Sequence, residues 1–176
     1  MIVGLLSDTH DRAEAAHTAV SILRRHGAEF FIHCGDVGDE HVLDALAGLR
    51  AAFVFGNNDW DRRGLERYAK DIGVTCLGSF GELELDGKRF AIHHGDDLAL
   101  SRRLIDKGVY DYILQGHTHV PSDERAGKVR LINPGALHRA RPRTVAVLDT
   151  TTDTLTFHEL PDAAAGPVRR RTAGWE

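Results

Sequence analysis

The sequence predicts an α/β protein in which two β-sheets pack face to face with helices on their outer sides, and three observations lead there. The first half alternates short apolar runs with amphipathic helical patterns, the signature of βαβ units and parallel strands. From Val74 onward short strands dominate, interrupted by one helix. No linker-like stretch divides the halves, so each sheet must bury its apolar face against the other or against helices.

In chain order, Ile2 to Ser7 reads as a buried strand; it lacks the basic flank and cleavage site of a signal peptide. Arg12 to His26 reads as a helix with Ala13, Ala16, Val20 and Leu23 on one face, closed by Gly27. Strand Glu29 to Cys34, helix Glu40 to Leu49 and strand Ala51 to Phe55 repeat the rhythm. Strands Phe80 to Leu85 and Lys88 to His93 flank the turn Asp86-Gly87, and a helix follows from Leu98 to Lys107. Strands Tyr112 to Leu114, Val129 to Ile132, Thr144 to Leu148 and Thr154 to Leu160 complete the pattern. One domain is expected over residues 1–160 and a fraying tail over 161–176, with Trp175 available to dock on a partner.

At 176 residues the chain can bury one core without disulfides or structural zinc. The net charge of -4 supplies no overall basic field to attract nucleic acid or an anionic membrane, and no apolar run is long enough to cross a bilayer. Two cysteines, Cys34 and Cys76, form neither a disulfide framework nor a CxxC metal site, so a reducing, cytoplasmic compartment is expected. Eleven histidines are the unusual feature of the composition.

Five polar motifs each follow a predicted strand: Asp8-Thr9-His10, Gly35-Asp36-Val37-Gly38-Asp39, Gly56-Asn57-Asn58-Asp59, His94-Gly95-Asp96 and Gly116-His117-Thr118-His119. In an α/β sheet the carboxyl ends of parallel strands face one crevice, so these groups can converge there. Carboxylate, imidazole and amide donors without thiolate suit Mn²⁺, Fe, Ni²⁺, Co²⁺ or catalytic Zn²⁺. Seven candidate ligands, with one carboxylate shared, suffice for two sites of roughly four protein ligands each, as in two-metal hydrolases.

These motifs, in this order and joined by Asn133-Pro134-Gly135, resemble the calcineurin-like metallophosphoesterase superfamily, and the short chain is similar to its small bacterial and archaeal phosphodiesterase branch. The resemblance covers about residues 1 to 160 and implies a four-layer αββα sandwich with two central mixed β-sheets flanked by helices. It implies that Asp8, His10 and His119 hold one divalent metal, that Asn57, His94 and His117 hold a second, and that Asp36 bridges the two. By ligand type Mn²⁺ is the first expectation for the two metals, and a water or hydroxide between them would attack phosphorus. Asn58 departs from the histidine that larger members use to protonate the leaving group, since an amide is no general acid at neutral pH. Asn58 is therefore expected to contact phosphate and Asp39 to orient a ligand or loop. Asn133, Gly135, His138, Arg139 and Arg141 are candidate substrate contacts, and small relatives imply a homodimer.

Each motif alone has a structural explanation: Asp8-Thr9 as a helix cap, Gly56-Asn57-Asn58 and Gly116-His117-Thr118-His119 as turns. Their joint placement after strands favours the metal reading. His17, His26, His41 and His158 are expected to be solvated or hydrogen-bonded, and His33 and His93 to support the ligands. Three rival functions remain open: a metal-dependent phosphomonoesterase or nucleotidase, a nuclease, and a non-catalytic scaffold of the same fold. The acidic balance weighs against the nuclease, and the full set of competent donors weighs against the scaffold.

Overall fold

The computed structural model describes residues 1–161. The expected tail, apart from Pro161, lies outside the described residues, as does Trp175.

Six strands form one sheet: β1 (Ile2–Leu6), β2 (Phe30–His33), β3 (Ala51–Phe53), β4 (Thr75–Cys76), β10 (Thr144–Asp149) and β11 (Thr154–Glu159), in the order β11-β10-β1-β2-β3-β4. β1 to β4 are parallel, and β10 and β11 add an antiparallel edge. The second sheet holds β5 (Phe80–Leu85), β6 (Lys88–His93), β7 (Tyr112–Leu114), β8 (Ser122–Ala126) and β9 (Val129–Asn133), in the order β5-β6-β7-β9-β8. Its three central strands, β6, β7 and β9, are parallel. Four helices complete the fold: α1 (Ala13–Arg25), α2 (Glu40–Leu43, continued by a 3-10 turn), α3 (Arg62–Asp71) and α4 (Leu98–Lys107).

Strand alternation sorts the side chains into four layers. Val3 and Leu5 of β1 face inward, where they meet Ile32, Phe90, Ile92, Leu114, Ile132, Ala146 and Leu148 from both sheets. Leu6, Phe31 and Phe53 belong to a separate cluster with Ala16, Ala19 and Leu23 of α1 and Leu65 and Ala69 of α3. Ala91, Ile113 and Val129 face the other way, toward Leu104 of α4. This is the expected αββα sandwich. Gly4 lets α1 approach closely, since a Cβ there would lie 3.1 Å from Leu23 and from Ala28.

Three elements escape the sequence pattern. α3 carries few apolar positions and has Gly64 in its interior. Strand β8 reads Ser-Asp-Glu-Arg-Ala and forms by pairing with β9 at the sheet edge. The two-residue β4 is too short to show a period. The helix expected over Glu40 to Leu49 is a single α-helical turn followed by a 3-10 turn.

Candidate metal centre

The parallel strands of each sheet end at one edge, and every motif leaves from such an end. Asp8 lies beyond β1, Asp36 beyond β2, Asn57 and Asn58 beyond β3, His94 directly after β6, and His117 and His119 beyond β7. Backbone hydrogen bonds stitch these loops together: Asp8 N–H donates to Gly35 O, His10 N–H to Asp36 O, and Gly116 N–H to His94 O.

Two donor groups result. Asp8, His10 and His119 each offer an atom within 4.8 Å of the others, and so do Asp8, Asp36 and His94. Asp8 Oδ1 stands 3.2 Å from His119 Nε2, while Asp36 Oδ2 stands 3.5 Å from His10 Nε2 and 3.3 Å from His94 Nε2. Asp8 and Asp36 both therefore face histidines of the two expected sets. His117 is more exposed; its ring stands edge-on to His94 at 5.1 Å, and its N–H donates to Asp8 Oδ2.

Three observations show that this donor set suits cations. Asp8 Oδ1, His10 Nε2 and His94 Nε2 are buried with no hydrogen-bond partner among the described residues, an arrangement that native proteins avoid unless a ligand meets the need. Asp8, His10, Asp36, His117 and His119 all have φ between 46° and 69°, a left-handed backbone that costs of order 1–3 kcal/mol at a non-glycine residue and clusters at functional sites. Finally, Nδ1 of His94 donates to Cys34 O at 2.9 Å, which fixes the tautomer and leaves Nε2 turned toward the carboxylates.

The electrostatics fit the same picture. Burial raises the Asp8 carboxyl above its ordinary range, although Ser7, His94 and His119 oppose the shift. Burial also works against ionisation of Asp36, but His94 and the side chain and backbone of Asn58 outweigh it and hold the group well below the usual carboxylate range. His94 is raised to about 9: burial disfavours its charge, while Asp36 beside it, the Cys34 carbonyl and Asp8 prevail.

Surrounding residues brace the candidate ligands by one repeated device. His33, His93 and Asn133 each end a strand, and each accepts the N–H of the glycine two residues on, Gly35, Gly95 and Gly135. Those glycines have φ of 97°, 103° and 86°, so the chain turns sharply beneath the ligand loops. His33 also pairs through Nε2 with Thr9 Oγ1 at 2.5 Å; its burial lowers its pKa to about 3, so it stays neutral. Gly56 is required for a different reason: a Cβ there would fall 2.1 Å from Asp36 Oδ1.

Several assignments change. Asn133 is not free for phosphate, because its amide donates to Gly116 O and Thr118 Oγ1 and its oxygen accepts from Gly135. The same bond engages the Gly135 N–H. Both residues shape the His117-Thr118-His119 loop. Asp39 accepts from His41 N–H and caps α2, which replaces its expected role at the ligands. That orienting role falls to Asp59, to which motif spacing assigns nothing. Its buried carboxylate accepts from Gly38 N–H at 2.8 Å and Gly56 N–H at 2.7 Å, tying two ligand loops together. Asn57 is exposed, whereas Asn58 donates its backbone and side-chain N–H groups to the two oxygens of Asp36, each at 2.8 Å. His138 lies beside the ligands, its ring 5.3 Å from His10 and its N–H on Asp8 O. Arg139 is exposed next to it, in a left-handed conformation with φ of 49°.

Known proteins agree with this architecture. Residues 1–153 match the model of the calcineurin-like phosphoesterase superfamily domain. The phosphodiesterase MJ0936 of Methanocaldococcus jannaschii is 34% identical over 155 residues, covering 85% of this chain and 93% of its own length. The solved structure of an archaeal phosphodiesterase superposes with a TM-score of 0.85 at 31% identity, covering 91% of this chain and all 100% of that one. The phosphoesterase YfcE of E. coli shares the fold at a TM-score of 0.63 and 18% identity, covering 92% of this chain and 100% of its own. With its motifs gathered at the strand ends of the same sandwich, the chain belongs to the calcineurin-like phosphoesterase superfamily.

Proposed function

We propose that this chain is a phosphodiesterase that hydrolyses small phosphate esters with two divalent metal ions, Mn²⁺ being the first choice by donor type. The observation that carries the reading is the set of buried donors on Asp8, His10 and His94, without partners among the described residues and gathered from two strand ends, one in each sheet. Asp8, His10 and His119 would hold one ion, and Asn57, His94 and His117 the other, with Asp36 between them. When bound, such ions act as Lewis acids that lower the pKa of water and neutralise charge on phosphoryl oxygens.

The chain's own residues contribute position and charge. Asp36 is kept ionised by His94 and Asn58, so it presents a full negative charge to cations. Cys34 O aims His94, and Asp59 and Asn58 fix the loops that carry Asp36 and Asn57. Asn58, where larger relatives carry histidine, offers no proton at neutral pH. Esters with good leaving groups are therefore favoured. His138 and Arg139 stand at the rim for substrate.

Among the described residues no helix is long and apolar enough to cross a membrane. Cys34 and Cys76 are both free thiols, which supports a reducing, cytoplasmic setting. The homodimer implied by small relatives is read by sedimentation of the purified chain.

The testing experiment compares bis-p-nitrophenyl phosphate with p-nitrophenyl phosphate, using chelator-stripped protein resupplied with Mn²⁺, Ni²⁺, Mg²⁺ or Zn²⁺. Diester cleavage restored by metal and lost in His94→Ala is expected. Preference for the monoester would favour the phosphomonoesterase, and inactivity with every metal would favour the scaffold.

A further inference from the structure

We infer that a cleft beside the metal centre is a subsite for a second phosphate of the substrate, so that the preferred substrates are phosphodiesters carrying a further phosphate group near the scissile one. This rests on the hydrolytic reading above and names the substrate class for that site.

The cleft has a volume of 520 Å³ and is lined by Arg12, Arg139, Arg143, His138, Asp11 and Glu14, among others. That size lies within the range of about 300–1,000 Å³ typical of small-molecule sites. Its wall is continuous with the metal centre. His138 hydrogen-bonds through its backbone to Asp8 and lies against His10, and Asp11 directly follows His10. An ester group held at the ligands would thus have its next substituent at the mouth of this cleft.

The lining is suited to a phosphate. Three guanidiniums converge on it from the start of α1 and from the segment after β9, and none forms an ion pair among the described residues. Among the described residues Arg12 donates only to His138 Nδ1, at 3.5 Å, and Arg143 only to the Pro161 carbonyl, so most of their N–H donors have no partner there. Asp11 and Glu14 share the lining, but among the described residues neither forms an ion pair with an arginine. Three cationic forks against two carboxylates leave a net positive cleft in a chain whose formal charge is -4. Arginine forks bind phosphate oxygens in pairs, and several together favour a dianionic phosphate over a carboxylate.

The test uses two dinucleotides with the same internal diester, ApA and 5′-phospho-ApA, and follows cleavage of that diester by chromatography in Mn²⁺. The wild-type chain is expected to favour the phosphorylated dinucleotide in kcat/KM by about tenfold or more. That ratio should fall to within about twofold in the Arg12→Gln, Arg143→Gln double variant, and rise in Glu14→Gln. Equal kcat/KM for the two dinucleotides, or a preference that survives the double variant, would overturn the subsite. A second readout needs no turnover: AMP, but not adenosine, titrated into chelator-stripped protein should shift the His138 ring resonances saturably, with affinity weakened about fivefold or more in the double variant. Absence of that shift would overturn the subsite even if catalysis were present. Failure of every diester with every metal would instead overturn the hydrolytic reading, leaving the AMP titration to decide the subsite.

Discussion

Asn58 grips Asp36 at both carboxylate oxygens, its backbone N–H on Oδ1 and its side-chain amide on Oδ2, each at 2.8 Å. An amide offers no proton at neutral pH; together with His94, Asn58 instead holds the Asp36 carboxylate ionised and oriented. Asn58→Ala should lower metal affinity and diester turnover by about 10- to 100-fold, the usual effect of losing a group that orients a ligand. Asn57→Ala should remove a ligand and cost more. Parallel metal titrations of the two variants check the order; a larger loss in Asn58→Ala would move the ligand role from Asn57 to its neighbour.

Asp59 offers a stability test. It is buried and accepts from two backbone N–H groups, those of Gly38 and Gly56. Asp59→Ala leaves both donors without partners and should destabilise the fold by about 2–4 kcal/mol, measured by urea unfolding. Metal affinity should fall with it, because the loops bearing Asp36 and Asn57 lose their tie.

The extent to which this was legible in the sequence depends on what each residue acts upon. Asp8, His10, Asp36, His94, His117 and His119 could be found because each follows a strand whose apolar run is visible, and the geometry of parallel strands does the rest. The bracing device of His33, His93 and Asn133 also has a local signal, a polar residue two before a glycine at a strand end. Asp59 stands in one of the motifs, but its role is not legible there, since its partners Gly38 and Gly56 come from different loops. The choice between Asn57 and Asn58 turns on backbone direction within one tight turn, which residue type does not encode. Helix α3 was hidden for a similar reason: Leu65 and Ala69 are the apolar residues it buries, and the flanking arginines read as a solvated stretch.

A pH effect should arise away from the candidate metal centre. Buried Arg130 pairs with Asp123 through Nε at 2.8 Å and with Asp153 through Nη1 at 2.6 Å. Burial opposes ionisation of Asp153, yet Arg125, Arg130 and Tyr112 hold it at about 2, and Arg130 likewise lowers Asp123. Both carboxylates are depressed in the folded state, so their stabilisation is present above the unfolded value of about 3.9 and is lost as pH falls toward 2. Arg130→Met should cost about 2–3 kcal/mol at pH 7, reduced by the partial exposure of both partners. The gap from wild type should close between pH of about 4 and 2, as followed by denaturant unfolding across pH.

Metal should stabilise the chain by mass action. At a hundredfold excess over Kd, one bound ion contributes about 2.7 kcal/mol, which corresponds to a rise in Tm of about 5–10 °C for a chain of this size. Thermal unfolding with and without Mn²⁺ measures it, and Asp8→Asn should reduce the shift sharply.

The most direct measurement titrates Mn²⁺ into chelator-stripped protein while recording bound metal per chain and bis-p-nitrophenyl phosphate hydrolysis in the same samples. Turnover that rises with the second equivalent of metal, and that Asp36→Asn abolishes, is the expected result. Full turnover at one equivalent, turnover indifferent to Asp36→Asn, or none at any loading would contradict a two-metal phosphodiesterase.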